Sequence, residues 1–192
     1  MLLLIQQKVT RCQLINGGIK MPSTTFLNLN EDKKKKIVQS LLLEFSNHSV
    51  SDAQVARIVK EAGIARGAFY KYFNDLQDAY AYLYQQAMVE IHKKITNSSQ
   101  ILSAEEYRKQ IKEFLDAVNG SPYQDLIRLH FQVNESLVKP SHTKAPQPKD
   151  SREWGIMVLS HEAIKESLQT PEKEKQIIER CYEVIRLLTK KA

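Results

Sequence analysis

Apolar residues recur along the chain at intervals of three and four, the spacing of amphipathic helices. Asn30 or Glu31 is expected to open a first helix, with Glu31 and Asp32 at its positive end and Ile37, Val38, Leu41, Leu42 and Phe45 on one face. Ser51 with Gln54 matches a capping box, which predicts a second helix from about Asp52 with a stripe at Val55, Ile58, Val59 and Ala62. Gly63 permits a sharp turn, Ile64 plugs the gap behind it, and Arg66–Phe73 forms a third helix too short to stand alone. Longer elements follow. Leu76, Tyr80, Leu83, Tyr84, Ala87 and Ile91 mark a helix from Asn74 or Asp75 to about Thr96. Ser103 and Glu106 make another capping box, opening a helix with a stripe at Tyr107, Ile111, Phe114, Leu115 and Val118 and an end at Asn119-Gly120. Ser121 as cap and Pro122 in the first turn predict a helix to about Val138.

Pro140, Pro146 and Pro148 make Lys139–Asp150 a loop, and two last helices are expected over Ser151–Leu168 and Pro171–Lys190, the second capped by Thr170. In the last of these, Ile177, Ile178, Cys181, Tyr182, Val184, Ile185 and Leu188 are apolar around more than one face. Such a helix needs partners on two sides, its own domain and another subunit. No strand-like alternation, internal repeat or heptad run competes with this pattern. The fold class is therefore all-α: an N-terminal three-helix bundle containing a helix–turn–helix over residues 21–74, then a second helical domain of about five helices over residues 75–192.

Composition narrows the class without changing it. Six glycines and six prolines in 192 residues leave room for long helices. Cys12 and Cys181 fit no metal or redox spacing and read as reduced thiols of a cytoplasmic protein. The longest N-terminal apolar run, Leu2–Ile5, is too short for a signal-peptide core or a membrane span. The net charge of +6 is modest, but between Gly63 and Phe73 it is carried by Arg66 and Lys71 with no acidic residue, a local footprint suited to phosphate. Lys33–Lys36, just before the first apolar stripe, read chiefly as a solvated helix start, with some phosphate contact open to them.

Residues 1–20 show no helical or strand period. They read as a loosely attached tail, or as a segment not natively translated, with Met21 as the start. Gly17-Gly18 encoded as GGA-GGU would form a ribosome-binding sequence just ahead of the Met21 codon. A basic arm reaching the minor groove is a further alternative.

Helix, turn and helix over Ser51–Phe73, with Phe69, Tyr70 and Tyr72 closely spaced in the second helix, are a device for placing side chains in the DNA major groove. The run Ala62-Gly63-Ile64-Ala65-Arg66-Gly67-Ala68-Phe69-Tyr70-Lys71-Tyr72-Phe73 resembles the DNA-binding domain of the TetR family over Glu31–Tyr84. That resemblance implies a bacterial homodimeric regulator, usually a repressor, released from a palindromic double-stranded operator by a small molecule. It places Arg66, Gly67 and Ala68 nearest the base edges, Tyr70, Lys71 and Tyr72 at phosphates or flanking bases, and Phe69 and Phe73 in the core. Gln54, at the start of the preceding helix, joins the candidate DNA contacts. Ala65 and Ala68 stand where the family often has Ser and Thr, and Leu76 where it often has Lys, so fewer contacts remain.

In the C-terminal half, Tyr84, Met88, Phe114, His130, Phe131 and Trp154 are each accounted for by packing. Taken as a set, they would line an inter-helical pocket for an effector whose identity cannot be read. No phosphate-binding glycine loop, HExxH or nucleophile elbow is present, and the five histidines are dispersed. The expectation is no enzyme, no cofactor and no metal site, with dimerisation through residues 151–190. The alternative is a helical protein-interaction module that keeps the motif without ligand sensing.

Overall fold

The computed structural model describes residues 22–93, 102–138 and 148–189. The expectations for residues 1–20, including the choice of start, lie outside these. Among the described residues all regular structure is helical, and packing divides them into two compact units.

The first unit holds residues 22–87 and 122–138. It begins with a one-turn helix that the hydrophobic pattern does not announce, α1 (Thr24–Leu27), whose N-cap is Ser23. Then come α2 (Glu31–Asn47), α3 (Val55–Ala62), α4 (Arg66–Tyr72) and most of α5 (Leu76–His92). Asn30 caps α2 as expected, its side chain accepting from the Lys33 N–H. Ile37, Leu41 and Phe45 on α2 are buried, as are Val55, Ile58 and Ala62 on α3 and Tyr80 and Leu83 on α5. A further segment returns to this unit: α7 (Gln124–Leu129), a π-helical turn (His130–Asn134) and α8 (Glu135–Leu137). The expected boundary at residue 74 is thus not a break in packing. Phe45 lies edge-on to Tyr80 at 5.2 Å, and the Tyr80 hydroxyl is 2.9 Å from His130 Nδ1, so α2, α5 and the π turn share one core.

The second unit contains residues 88–93, 102–121 and 148–189, with α6 (Ala104–Asn119), α9 (Ser151–Gln169) and α10 (Glu174–Thr189) packed against one another. Its core includes Ile111, Phe114, Leu115, Ile164, Ile177 and Ile185. The Ser103–Glu106 capping box forms as expected, and its hydrogen bonds from Ser103 hold the Glu106 carboxyl below its usual range.

Three expected side-chain caps do not form. The second helix opens at Val55, not near Asp52, because Ser49 rather than Ser51 organises the preceding turn. The Ser49 carbonyl accepts from the Asp52 and Ala53 amides at 3.0 and 2.9 Å. The Gln54 amide is drawn to Glu44 Oε1 at 2.7 Å, which keeps Gln54 extended. Ser121 does not cap α7; its hydroxyl donates back to the Val118 carbonyl, and the helix opens at Gln124. Thr170 does hold the N-cap position, but of a 3-10 turn (Pro171–Lys173) that leads into α10, and its hydroxyl donates back to the Glu166 carbonyl at 2.8 Å.

Candidate nucleic-acid interface

The turn between α3 and α4 is set by one residue. Gly63 adopts φ 64°, the left-handed conformation, and the Ile64 amide reaches the Val59 carbonyl at 3.0 Å while the Gly63 amide reaches that of Lys60 at 3.3 Å. This Schellman arrangement ends α3 and turns the chain sharply into α4.

A half-buried ion pair ties α3 to α2, its carboxylate buried and its guanidinium partly exposed. Glu44, 4% exposed, receives Arg57 Nη2 on Oε1 at 2.6 Å and Nε on Oε2 at 2.8 Å. Nη2 also donates to the Asp52 carbonyl at 2.9 Å. Burial alone would push the Glu44 carboxyl up, but the hydrogen bonds from Arg57 and the Gln54 amide outweigh it and hold the group below the usual glutamate range. The pattern of apolar residues gives no hint of this pair, since glutamate and arginine thirteen residues apart carry no helical signature.

On α4 the apolar and polar faces separate cleanly. Phe69 and Phe73 are buried as expected. Arg66, Gly67, Tyr70 and Lys71 are exposed, Ala68 is half-buried, and no acidic side chain lies on the helix. The Arg66 guanidinium lies 5.9 Å from the Tyr70 ring centroid, with Nη2 at 3.4 Å from the hydroxyl. Gly67 has open space where a Cβ would stand, nothing lying within 4 Å, so its own packing does not require glycine there. Gln54 is exposed at the N-cap of α3. Tyr72 departs from the expected phosphate-facing set: it is 5% exposed, its ring edge-on to Phe26 at 5.8 Å. At the helical spacing of Phe69 and Tyr72, three residues apart, the two rings turn to the same inner face.

Residues 40–78 match the family model described as bacterial regulatory proteins, tetR family. Over these residues the chain is similar to the bacterial regulatory proteins of the tetR family. The fold is shared with a TetR family transcriptional regulator from Chloroflexus aurantiacus J-10-FL, at TM-score 0.55 and 19% identity over 88% of this chain and 96% of that one. A candidate tetR family transcription regulator from Shewanella sp. PV-4 superposes at TM-score 0.53 and 15% identity, over 81% of this chain and 96% of its own. No curated protein matches the chain by sequence.

The residues expected to line an effector pocket fall into separate groups. In the first unit Tyr84 stacks on His130 with centroids 4.1 Å apart, and Phe131 meets the same imidazole edge-on at 5.4 Å. Burial pushes the Tyr80 and Tyr84 phenols far above their usual values. In the second unit Met88 and Phe114 are buried, and His92 Nδ1 lies 2.6 Å from the Met88 carbonyl. Trp154, at 58% exposed, joins neither group; it stands on the solvent side of α9. Among the described residues no group of His, Cys, Asp and Glu could hold a metal, and no helix is long and apolar enough to cross a membrane.

Proposed function

We propose that the protein is a cytoplasmic homodimeric transcription regulator, a repressor that leaves a palindromic operator when a small molecule binds. The observation that carries this reading is the outer face of α4, where Arg66, Gly67, Tyr70 and Lys71 are exposed without a neighbouring acid on a helix held at a fixed turn. Arg66, Gly67 and Ala68 are assigned to base edges, Tyr70 and Lys71 to phosphates, and Gln54 to the backbone at the start of α3. The unoccupied space over Gly67 supports close approach of the helix backbone to the duplex. Tyr72 is assigned to the core.

Dimerisation is assigned to α9 and α10. In the second unit the exposed large apolar side chains among the described residues, Trp154, Val158, Val184 and Leu187, are all on these two helices. A dimer that reads a palindrome presents two copies of α4 about one DNA turn, ~34 Å, apart. For the effector, the Tyr84–His130–Phe131 group of the first unit is the proposed lining, acting by favouring a conformation that no longer fits the operator.

The test is binding of the purified protein to a duplex spanning its own promoter region, followed by fluorescence anisotropy at low salt. Salt-sensitive binding with two protomers per site is expected. Failure to bind would sink the DNA-binding reading and leave a helical protein-interaction module. Binding that no small molecule ever reverses would remove the sensor half alone.

A further inference from the structure

The recognition helix is poorly equipped to hold itself. It has seven residues and an N-cap, Ala65, with no side chain to receive an orphan amide; Gly67 sits in its first turn. Its C-terminal carbonyls, however, are not left to water. The Ser23 hydroxyl donates to the Lys71 carbonyl at 2.6 Å, across 48 residues of sequence, and the Ser23 amide donates to the Tyr72 carbonyl at 3.1 Å. The same hydroxyl accepts from the Phe26 amide at 3.2 Å, capping α1. One side chain therefore closes the end of one helix and the start of another. Three residues on, Phe26 is fully buried, with ring centroids 5.1 Å from Phe73, 5.3 Å from Tyr82 and 5.8 Å from Tyr72.

We infer that Ser23 and Phe26 are positioning residues of the DNA-binding surface, an N-terminal clip that fixes the C-terminal turn of α4 and with it the peptide carrying Lys71. The inference rests on the reading of α4 as the DNA-facing helix. Ser23 holds the main chain of Lys71, whose ammonium is on the exposed side, while Phe26 wedges beneath Tyr72 and Phe73 on the buried side. A helix this short gains its order from such docking rather than from propensity. Without the clip the last turn is expected to fray, and a frayed Lys71 must be ordered again each time DNA binds, which weakens the complex.

The experiment compares Ser23→Ala, Ser23→Thr and Phe26→Leu with the unaltered chain in two measurements. Hydrogen exchange in the free protein should show residues 69–73 opening about tenfold more readily in Ser23→Ala, the factor set by losing one hydrogen bond of ordinary strength, with α3 unchanged. Affinity for the promoter duplex should fall about fivefold in the same variant, and Ser23→Thr, which keeps the hydroxyl, should restore both. Phe26→Leu keeps an apolar plug and should shift exchange at residues 69–73 in the same direction. Unchanged exchange at residues 69–73 in Ser23→Ala overturns the inference, as does an equal rise across α2, α3 and α4, which would mean general destabilisation. If the unaltered chain binds no duplex, the DNA-binding reading has failed, and the exchange measurement still decides whether the clip holds α4.

Discussion

Asn134 Oδ1 accepts a hydrogen bond from the Val50 amide at 2.9 Å, joining positions 84 residues apart. Val50 lies in the turn that feeds α3, and Asn134 closes the π-helical turn that also carries His130. Both groups are buried, so the bond has no water to replace it. Asn134→Ala should leave the Val50 amide unsatisfied and destabilise the protein by about 1–3 kcal/mol. Urea unfolding measures the loss. A shift below a few tenths of a kcal/mol would show that the turn before α3 does not depend on the π turn.

The Glu44–Arg57 pair predicts a pH dependence with a definite sign. The folded Glu44 carboxyl is held below its unfolded value, since the bonds from Arg57 and the Gln54 amide outweigh burial. Its contribution is therefore fully present above the unfolded glutamate pKa, about 4.3, and is lost as pH falls through the lower folded value. Glu44→Gln should flatten the acid side of the stability curve between about pH 5 and pH 3. Parallel curves for the variant and the unaltered chain, followed by circular dichroism, would contradict the pairing.

Much of this architecture is legible in the pattern of residues, and the misses share a cause. Apolar periodicity located α2, α3, α5, α6 and α10, because each buries apolar positions against its neighbours, while the Gly63 turn and the proline loop before Ser151 delimited α4 and α9. It did not reveal α1, a single turn with one buried residue, Phe26, and so no period at all. Caps went wrong where a hydroxyl had a better use: Ser121 and Thr170 bond backward to the preceding helix, and Ser51 meets the Ser49 hydroxyl at 2.7 Å. At the site, the exposed set Arg66, Gly67, Tyr70 and Lys71 could be named from local composition. The burial of Tyr72 could not, because its aromatic partner Phe26 comes from outside the motif.

Arg66 and Lys71 should fail in different ways when removed. Lys71 is exposed at the end of α4 and is assigned to a phosphate, so Lys71→Ala should weaken binding to specific and unrelated duplexes alike and reduce the salt slope by about 1. Arg66 is the one long side chain assigned to bases. Arg66→Ala should narrow the gap between operator and unrelated DNA by a factor of about 10 to 100. Anisotropy titrations at several salt concentrations distinguish the two. An unchanged slope for Lys71→Ala would remove that residue from the phosphates.

The exposed apolar residues of α9 and α10 make the dimer testable one residue at a time. Leu187 is 64% exposed and Trp154 58% exposed, so neither is needed to fill the core of its own unit. Gly155, beside Trp154, has Leu188 Cδ1 at 3.4 Å from where its Cβ would be, which places the two helices in close packing at this level. A charge at Leu187 should therefore spare the fold and oppose pairing, since an interface core excludes unpaired charge. Leu187→Glu is expected to sediment as a monomer at micromolar concentration, with a circular dichroism spectrum unlike an unfolded chain. It should also bind operator DNA far more weakly than one half-site substitution would explain, because two copies of α4 then no longer share one binding event. If Leu187→Glu remains dimeric, the subunit contact lies elsewhere, and the exposed side chains of α9 and α10 need another partner.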